Sequence, residues 1–106
     1  MTSELYTQQI KGLDFQHFLI LYWTAVAEDK RVHYNITNVF DDLKYNDVTR
    51  TKQSAVSYVE ALKYLQFVEI REEKNRKTLY LTKYGAQALA KLGEEFDILK
   101  SNYLEK

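Results

Sequence analysis

The sequence predicts a mainly α-helical fold that carries one β-hairpin. Apolar residues recur at three- and four-residue spacing over most of the chain, which is typical of amphipathic helices. The segment 67–81 instead holds two β-rich runs separated by a charged turn. The chain has 106 residues, 45% of them hydrophobic, which suits one hydrophobic core. We therefore expect a single domain over 1–106.

The first two helices are predicted from caps and apolar spacing. Asp14 can cap a helix that runs to about Glu28. Its apolar stripe consists of Phe15, Phe18, Leu19, Tyr22 and Val26. A loop over 29–35 follows and holds a short extended piece at 31–34. A second, shorter helix starts at Asn35 or Thr37, and its apolar face consists of Ile36, Val39, Phe40 and Leu43.

A third helix is predicted over about 49–65, after a turn at 44–47 that contains two turn-forming residues, Asn46 and Asp47. A rotation of about 100° per residue separates its residues into two faces. The buried face holds Val48, Ala55, Val59 and Leu62. The exposed face holds Arg50, Gln53, Ser57, Glu60 and Tyr64.

A β-hairpin and a fourth helix complete the predicted fold. The hairpin begins at 67–70, turns at 72–76 and returns at 78–81. Thr82 can cap the fourth helix, and Gly93 is expected to break it before a last amphipathic piece. The apolar residues of the fourth helix are Ala86, Leu89, Ala90 and Leu92.

Composition excludes several kinds of site. The chain has no cysteine, which excludes disulfides, thiolate metal ligands and thiol nucleophiles. Its two histidines, His17 and His33, lack partner motifs, so we interpret them as packed or surface residues. The main sequence signatures of catalysis are also missing. We therefore expect no enzymatic activity, no cofactor and no bound metal.

The longest apolar run, 18–23, is far shorter than the roughly 20 residues that cross a bilayer, so no membrane partner is expected. The first 12 residues are mixed and polar, without the basic start and apolar core of a secretory signal. The sequence therefore favours a cytoplasmic location.

Charge is unevenly distributed along the chain. The fifteen basic and fifteen acidic residues give a net charge of zero, which argues against a nonspecific polyanion binder. However, the net charge is −3 over 1–47, +4 over 48–83 and −1 over 84–106. Positive charge is thus concentrated in the segment that contains the third helix and the hairpin.

The predicted order of helix, short strand, helix, helix, strand, strand and helix is that of a winged helix-turn-helix. Within 50–92 the chain also resembles winged-helix regulators of the MarR type. The matching segments are the helix at 54–62, the strand start at 67–69, the wing at 73–77 and Leu-Thr-Lys-Tyr-Gly at 81–85. The resemblance implies a DNA-binding domain whose third helix is the recognition helix.

The chain departs from the MarR-type pattern in two places. Gln66 stands where the family usually has Gly, at a site where a left-handed backbone is favourable only for Gly or Asn, so this junction is expected to differ in shape. The chain is also shorter than typical members, so an effector function is not implied.

Residue chemistry independently favours a DNA interface. Short and forked hydrogen-bonding groups on the third helix suit base edges in the major groove. Hydroxyl and lysine groups at the start of that helix can hold phosphate, and an arginine on the wing at 72–78 can enter the minor groove. The candidate contacts are Thr49, Arg50, Thr51, Lys52, Gln53, Ser54, Ser57 and Tyr58 on the helix, and Lys74, Asn75, Arg76 and Lys77 on the wing.

The leading hypothesis is sequence-specific binding of double-stranded DNA by a dimeric transcriptional regulator. One alternative is an accessory or architectural factor of a plasmid, phage or mobile element. An alternative from another class is a protein-interaction module, which the zero net charge favours. A homodimer is expected because apolar stripes near both termini are typical of an interface. These stripes are Phe96, Leu99 and Tyr103, and Leu5, Ile10 and Leu13.

Overall fold

The computed structural model describes residues 13–95, which form four helices and one two-stranded antiparallel sheet. The helices are α1 (Phe15–Asp29), α2 (Ile36–Tyr45), α3 (Lys52–Tyr64) and α4 (Lys83–Glu95), and the strands are β1 (Val68–Glu73) and β2 (Arg76–Leu81). The prediction of a mainly helical fold with one hairpin is confirmed. The order of elements is compatible with the winged-helix layout.

Helix α1 lies at the centre of the core, in contact with α3, α4 and β2. Because neighbours cover it on several sides, four successive residues, 18–21, are fully buried. The predicted stripe is therefore only partly right, since Phe15, Tyr22 and Val26 are half-buried. His17 is a packed residue as expected, and its Nδ1 accepts a hydrogen bond of 3.0 Å from the Asp14 backbone N–H.

The starts of α2 and α3 are set by side-chain caps. The Asn35 side chain accepts from the Asn38 N–H at 3.0 Å, and the Asn38 side chain accepts from the Asn35 N–H at 3.1 Å. This reciprocal pair fixes the start of α2 at Asn35. Thr51 caps α3 by accepting from the Ser54 N–H at 3.1 Å. The third helix thus starts later than the predicted range of about 49–65, since Val48, Thr49 and Arg50 precede it, whereas its end at Tyr64 agrees with the prediction to within one residue.

Helices α1, α2 and α3 end in the same way, although none of the three ends has a glycine. Arg31, Asp47 and Gln66 follow these helices with φ values of 58°, 57° and 65°. After α3, the Gln66 N–H donates to the Lys63 carbonyl and the Phe67 N–H donates to the Leu62 carbonyl, both at 2.9 Å. The expectation that Gln66 changes this junction is therefore wrong. The left-handed conformation is kept despite a cost of about 1–2 kcal/mol for a residue with a Cβ.

The hairpin turn is tighter than predicted. Lys74 and Asn75 alone connect the strands, with φ values of 51° and 65°, as in a two-residue type I′ turn. The strands therefore extend to Glu73 and Arg76, where a turn over 72–76 was expected. One hairpin face lies toward the core and buries Val68 and Leu79.

The outer edge of β2 is covered by the last turn of α1 and by the α1–α2 connection. The Leu79 N–H donates to the Tyr34 carbonyl at 2.8 Å, and the Leu81 N–H donates to Glu28 Oε2 at 3.1 Å. The extended piece expected at 31–34 is realised as a single bridge between Asn35 and Thr78, not as a full strand.

Thr82 joins the start of α4 to the junction between α3 and β1. Its hydroxyl donates to the Gln66 carbonyl at 2.6 Å and accepts from the Gly85 N–H at 2.9 Å, which confirms the predicted cap. The Thr82 N–H donates to the Phe67 carbonyl at 3.1 Å. A Cβ at Gly85 would lie only 1.9 Å from the Phe67 carbonyl oxygen. The Leu-Thr-x-x-Gly segment is therefore a packing motif that needs glycine at its last position.

Helix α4 differs from the prediction in two respects. It continues through Gly93 to Glu95, so the break expected at Gly93 is absent. Its buried residues include Ala88 and Leu92, whereas Ala86 and Ala90 are exposed. The periodicity assigned these alanines to the wrong face because small residues carry little information about burial.

Candidate nucleic-acid interface

A groove of about 500 Å³ lies between the first turn of α2, one side of α3 and the end of the hairpin. Three cationic side chains and one carboxylate line it. We call it the basic groove. Its residues are Asn35, Ile36, Thr37 and Asn38 from α2 and its cap, Lys52, Val56 and Glu60 from α3, and Asn75, Arg76 and Lys77 from the hairpin.

Helix α3 presents Lys52, Val56 and Glu60 to the basic groove because these residues recur every four positions. Three residues on the neighbouring face of α3 are completely buried in the core and fix the rotation of the helix. They are Ala55, Val59 and Leu62. The groove-lining side chains of α3 are therefore held in place by core packing.

The register of the hairpin divides its basic residues between two faces. Lys77 pairs with Glu72 on the face that holds Leu79, whereas Arg76 pairs with Glu73 on the other face. Arg76 also borders a second cavity of about 580 Å³, together with Lys74. The wing thus presents positive charge on both sides of its end.

Most of the predicted helix contacts are accessible. Arg50, Thr51, Lys52, Gln53 and Ser57 are exposed, and Ser54 is half-buried. Two of them are engaged with each other, since the Thr51 hydroxyl donates to Ser54 Oγ at 2.8 Å. Lys52 is the member of this set that lines the basic groove.

Two predicted helix contacts are less accessible than most of the others. Thr49 is only 8% exposed, because the chain turns inward before α3 and places its hydroxyl 3.4 Å from the Thr51 carbonyl. Tyr58 is half-buried against the core, and its ring packs edge-on against His17 with centroids 5.5 Å apart. The inward turn before α3 therefore buries Thr49, and the rotation of α3 directs Tyr58 toward the core.

All four predicted wing residues are exposed. Asn75, Arg76 and Lys77 line the basic groove, and Lys74 lines the neighbouring cavity. Lys52 of α3 and Arg76 and Lys77 of the hairpin therefore line one common groove.

A polar cluster on the outer face of the hairpin neutralises another basic residue. The Arg71 guanidinium donates to both carboxylate oxygens of Glu69, at 3.2 and 3.3 Å, which raises the pKa of Arg71. It also lies 4.3 Å from the centre of the Tyr80 ring. Because Arg71 is paired with Glu69, their charges cancel locally, and Arg71 is less available to a ligand than the basic residues at the end of the hairpin.

The same cluster connects the hairpin to the α1–α2 loop. The Tyr80 hydroxyl donates to Glu73 Oε1 at 2.6 Å, which is the main cause of the lowered pKa of Glu73 and the raised pKa of Tyr80. His33 Nδ1 lies 3.6 Å from the same carboxylate oxygen. These contacts hold the hairpin against the α1–α2 loop without using Arg76 or Lys77.

The sequence did not predict that α2 and Val56 line the basic groove. The Asn-x-x-Asn spacing of Asn35 and Asn38 indicates a helix start, but it does not indicate that this turn forms a groove wall. Val56 recurs four residues after Lys52, a spacing that was available in the sequence. Glu60 was correctly placed on the exposed face but was not assigned to the site.

The predicted dimer residues Phe96, Leu99 and Tyr103, and also Leu5 and Ile10, lie outside the described residues. Leu13 is the exception, since it is described and is only 8% exposed within one chain. It packs in the core of the protomer, so its assignment to an exposed apolar set is wrong.

Residues 13–95 contain neither a candidate metal site nor a candidate membrane-spanning helix. No three His, Asp or Glu side chains in this range are grouped so that they could hold a metal ion. In the same range, every helix is too short or too polar to span a bilayer.

Comparisons with protein-family models, curated proteins and solved structures gave no match to this chain. The resemblance to MarR-type regulators is thus carried by the segments quoted above alone. Any assignment of function depends on the chemistry and geometry of the basic groove.

Proposed function

We propose that this protein is a winged helix-turn-helix protein that binds double-stranded DNA in a sequence-specific manner. The basic groove carries this proposal, because it places Lys52 of α3 and Arg76 and Lys77 of the hairpin around one space. Lys52 lies far in the sequence from the adjacent pair Arg76 and Lys77. Convergence of cationic groups beside an exposed helix face favours a polyanionic ligand of regular shape.

In the proposed complex, α3 lies in the major groove. Gln53 and Ser57 are exposed one helical turn apart, and their amide and hydroxyl groups can both donate to and accept from base edges. Arg50 and Thr51 precede the helix and are exposed near its positive end. They are suited to contact phosphate and to fix the register of α3 on the duplex.

The wing contacts the adjacent minor groove or the sugar-phosphate backbone. A DNA strand that separates the major and minor grooves then passes through the basic groove, between α3 and the hairpin. Lys52 and Lys77 would neutralise phosphates of this strand. Arg76, on the opposite face of the hairpin from Lys77, is suited to a narrow minor groove, where the negative potential is enhanced.

The proposed biological role is that of a dimeric transcriptional regulator. Two recognition helices about 34 Å apart would read the halves of a palindromic site and bind jointly. A factor that marks DNA of a plasmid, phage or mobile element would use the same interface. Sedimentation at tens of micromolar tests the dimer, and a monomer at that concentration would contradict it.

The duplex-binding proposal is tested by measuring affinity for random-sequence duplex DNA as salt is raised. Neutralisation of about four to six phosphates per protomer predicts a log-log salt slope of about −4 to −5. Lys77→Ala should weaken binding to all sequences and flatten the slope by about one. Lys91→Ala is the matched control, because Lys91 is exposed on α4 and does not line the basic groove.

Two outcomes would contradict the proposal. Failure of the wild-type protein to bind any duplex at low salt would reject DNA as the ligand and favour a protein-interaction module. Equal losses for Lys77→Ala and Lys91→Ala would show that binding depends on total charge and not on the basic groove.

A further inference from the structure

Glu60 is the carboxylate among the residues that line the basic groove. It also lines a smaller cavity of about 200 Å³ between α3 and the hairpin, which it shares with Lys63, Lys77 and a second carboxylate, Glu72. Although these lysines are near, the ion pairs found within residues 13–95 are His33 with Glu73 and Arg71 with Glu69. Among the described residues, Glu60 therefore has no ion-pair partner, and it presents its carboxylate at the surface proposed to meet a polyanion.

Glu60 belongs to the same exposed stripe of α3 as the proposed base-reading residues. Gln53, Ser57 and Glu60 follow each other at spacings of four and three residues, and all three are exposed. Seven residues of helix rise by about 10 Å, which corresponds to about three base-pair steps of 3.4 Å. A duplex that contacts Gln53 and Ser57 would therefore bring its surface to Glu60 as well.

A carboxylate in this position discriminates between the groups that DNA presents. An ionised carboxylate only accepts hydrogen bonds, so it is repelled by phosphate and by acceptor groups of bases. In the major groove, cytosine presents an amino donor, whereas adenine presents its amino donor beside the N7 acceptor and guanine presents two acceptors. Cytosine is thus the base whose edge best compensates the charge of Glu60.

We infer that Glu60 determines specificity by accepting a hydrogen bond from the amino group of a cytosine in the major groove and by opposing nonspecific contact with phosphates. This inference rests on the proposed function, since it describes the selectivity of the same interface. The surrounding Lys52, Arg76 and Lys77 supply general attraction to DNA. Glu60 makes that attraction conditional on the base that lies opposite it.

The test is selection of binding sites from a random duplex library by the wild type, Glu60→Gln and Glu94→Gln. Glu94 is an exposed carboxylate on α4 that does not line the basic groove, so its variant removes the same charge elsewhere. We expect wild-type sites to contain a cytosine about three base pairs from the position that changes in Gln53→Ala. Glu60→Gln should lose this preference and bind random duplexes about fivefold more tightly, whereas Glu94→Gln should keep the preference.

The possible failures are distinguishable. If the wild type selects a defined site and Glu60→Gln selects the same site, the inference about Glu60 is overturned and the proposed function stands. If Glu60→Gln and Glu94→Gln gain equally in affinity for random duplexes and keep the same base preference, the inference about Glu60 is also overturned and the proposed function stands. If the wild type binds no duplex at low salt, both the inference and the proposed function are overturned. Circular dichroism of each variant checks that the fold is intact.

Discussion

Replacement of Gly85 by alanine tests how closely α4 packs on the junction between α3 and β1. The new Cβ would lie 1.9 Å from the Phe67 carbonyl oxygen and 2.9 Å from its carbonyl carbon. Because non-bonded carbon and oxygen atoms normally stay at least about 3.3 Å apart, α4 must move by about 1.4 Å relative to Phe67. The neighbouring backbone atoms cannot rotate away as the end of a flexible side chain can.

This displacement disrupts the contacts that Thr82 makes at the same junction. Its hydrogen bonds to Gln66, Gly85 and Phe67 are 2.6, 2.9 and 3.1 Å long, and their loss costs about 1 kcal/mol each. Overpacking increases this loss of stability by about 1–3 kcal/mol, and the higher helix propensity of alanine offsets about 1 kcal/mol of it. We therefore expect Gly85→Ala to lower the free energy of unfolding by about 3–5 kcal/mol.

Urea unfolding followed by circular dichroism measures this change directly. Gln87→Ala is the matched control, since Gln87 is exposed on the same helix and its replacement should change stability by less than about 0.5 kcal/mol. A Gly85→Ala protein within about 1 kcal/mol of the wild type would refute the close approach of α4 to Phe67.

Three further predictions concern other residues of the fold. Gln66→Gly should raise the free energy of unfolding by about 0.5–1 kcal/mol in urea titrations, because removal of the Cβ relieves the left-handed conformation and outweighs the entropy of glycine. Tyr34→Phe should lower it by about 1–2 kcal/mol, because the Tyr34 hydroxyl donates to Asp42 Oδ2 at 2.7 Å. Burial lowers the pKa of His17 below 6.5, so on acidification the unfolded chain binds a proton at a higher pH than the folded protein does. The free energy of unfolding should therefore fall as the pH drops below 6.5. His17→Gln, compared with the wild type at pH 7.5 and 5.0, should show a weaker pH dependence.

The controls for these predictions isolate single causes. Gln66→Ala removes the same side chain but keeps the Cβ, so equal stability of the Ala and Gly variants would contradict the backbone explanation. Tyr45 is 85% exposed, and Tyr45→Phe should leave stability unchanged within about 0.5 kcal/mol. An unchanged pH dependence in His17→Gln would show that another group titrates between pH 5.0 and 7.5. Glu73 does not account for such a dependence, because its pKa is lowered from 4.5 and it titrates below pH 5.0.

Local chemistry predicted those parts of the fold that are determined by neighbours in the sequence. The cap at Thr82 and the start of α2 at Asn35 follow from side chains that bond to the backbone three residues away. The predicted start of α3 was too early, because Thr49 and Thr51 are both suitable caps. Only the packed structure, in which Thr49 is buried, decides between them.

The candidate site was only partly predictable, because part of it depends on tertiary packing and not on neighbours in the sequence. The exposed residues of α3 and the basic residues of the hairpin follow from periodicity, and Lys52, Arg76 and Lys77 were all identified. The participation of Asn38 depends on how α2 lies against α3 and the hairpin, which no local pattern specifies. Neutralisation of Arg71 by Glu69 likewise depends on their sharing one face of a strand, at a spacing of two residues.

The coverage of the β2 edge has a consequence for self-association. Since Tyr34 and Glu28 already accept hydrogen bonds from Leu79 and Leu81, a strand from another molecule cannot add to that side of the sheet without displacing them. Edge-to-edge pairing is then limited to the β1 side. Two copies joined there would form a closed four-stranded sheet with a two-fold axis, whereas unlimited stacking requires two open edges. The last turn of α1 and the α1–α2 connection thus oppose strand addition at the β2 edge.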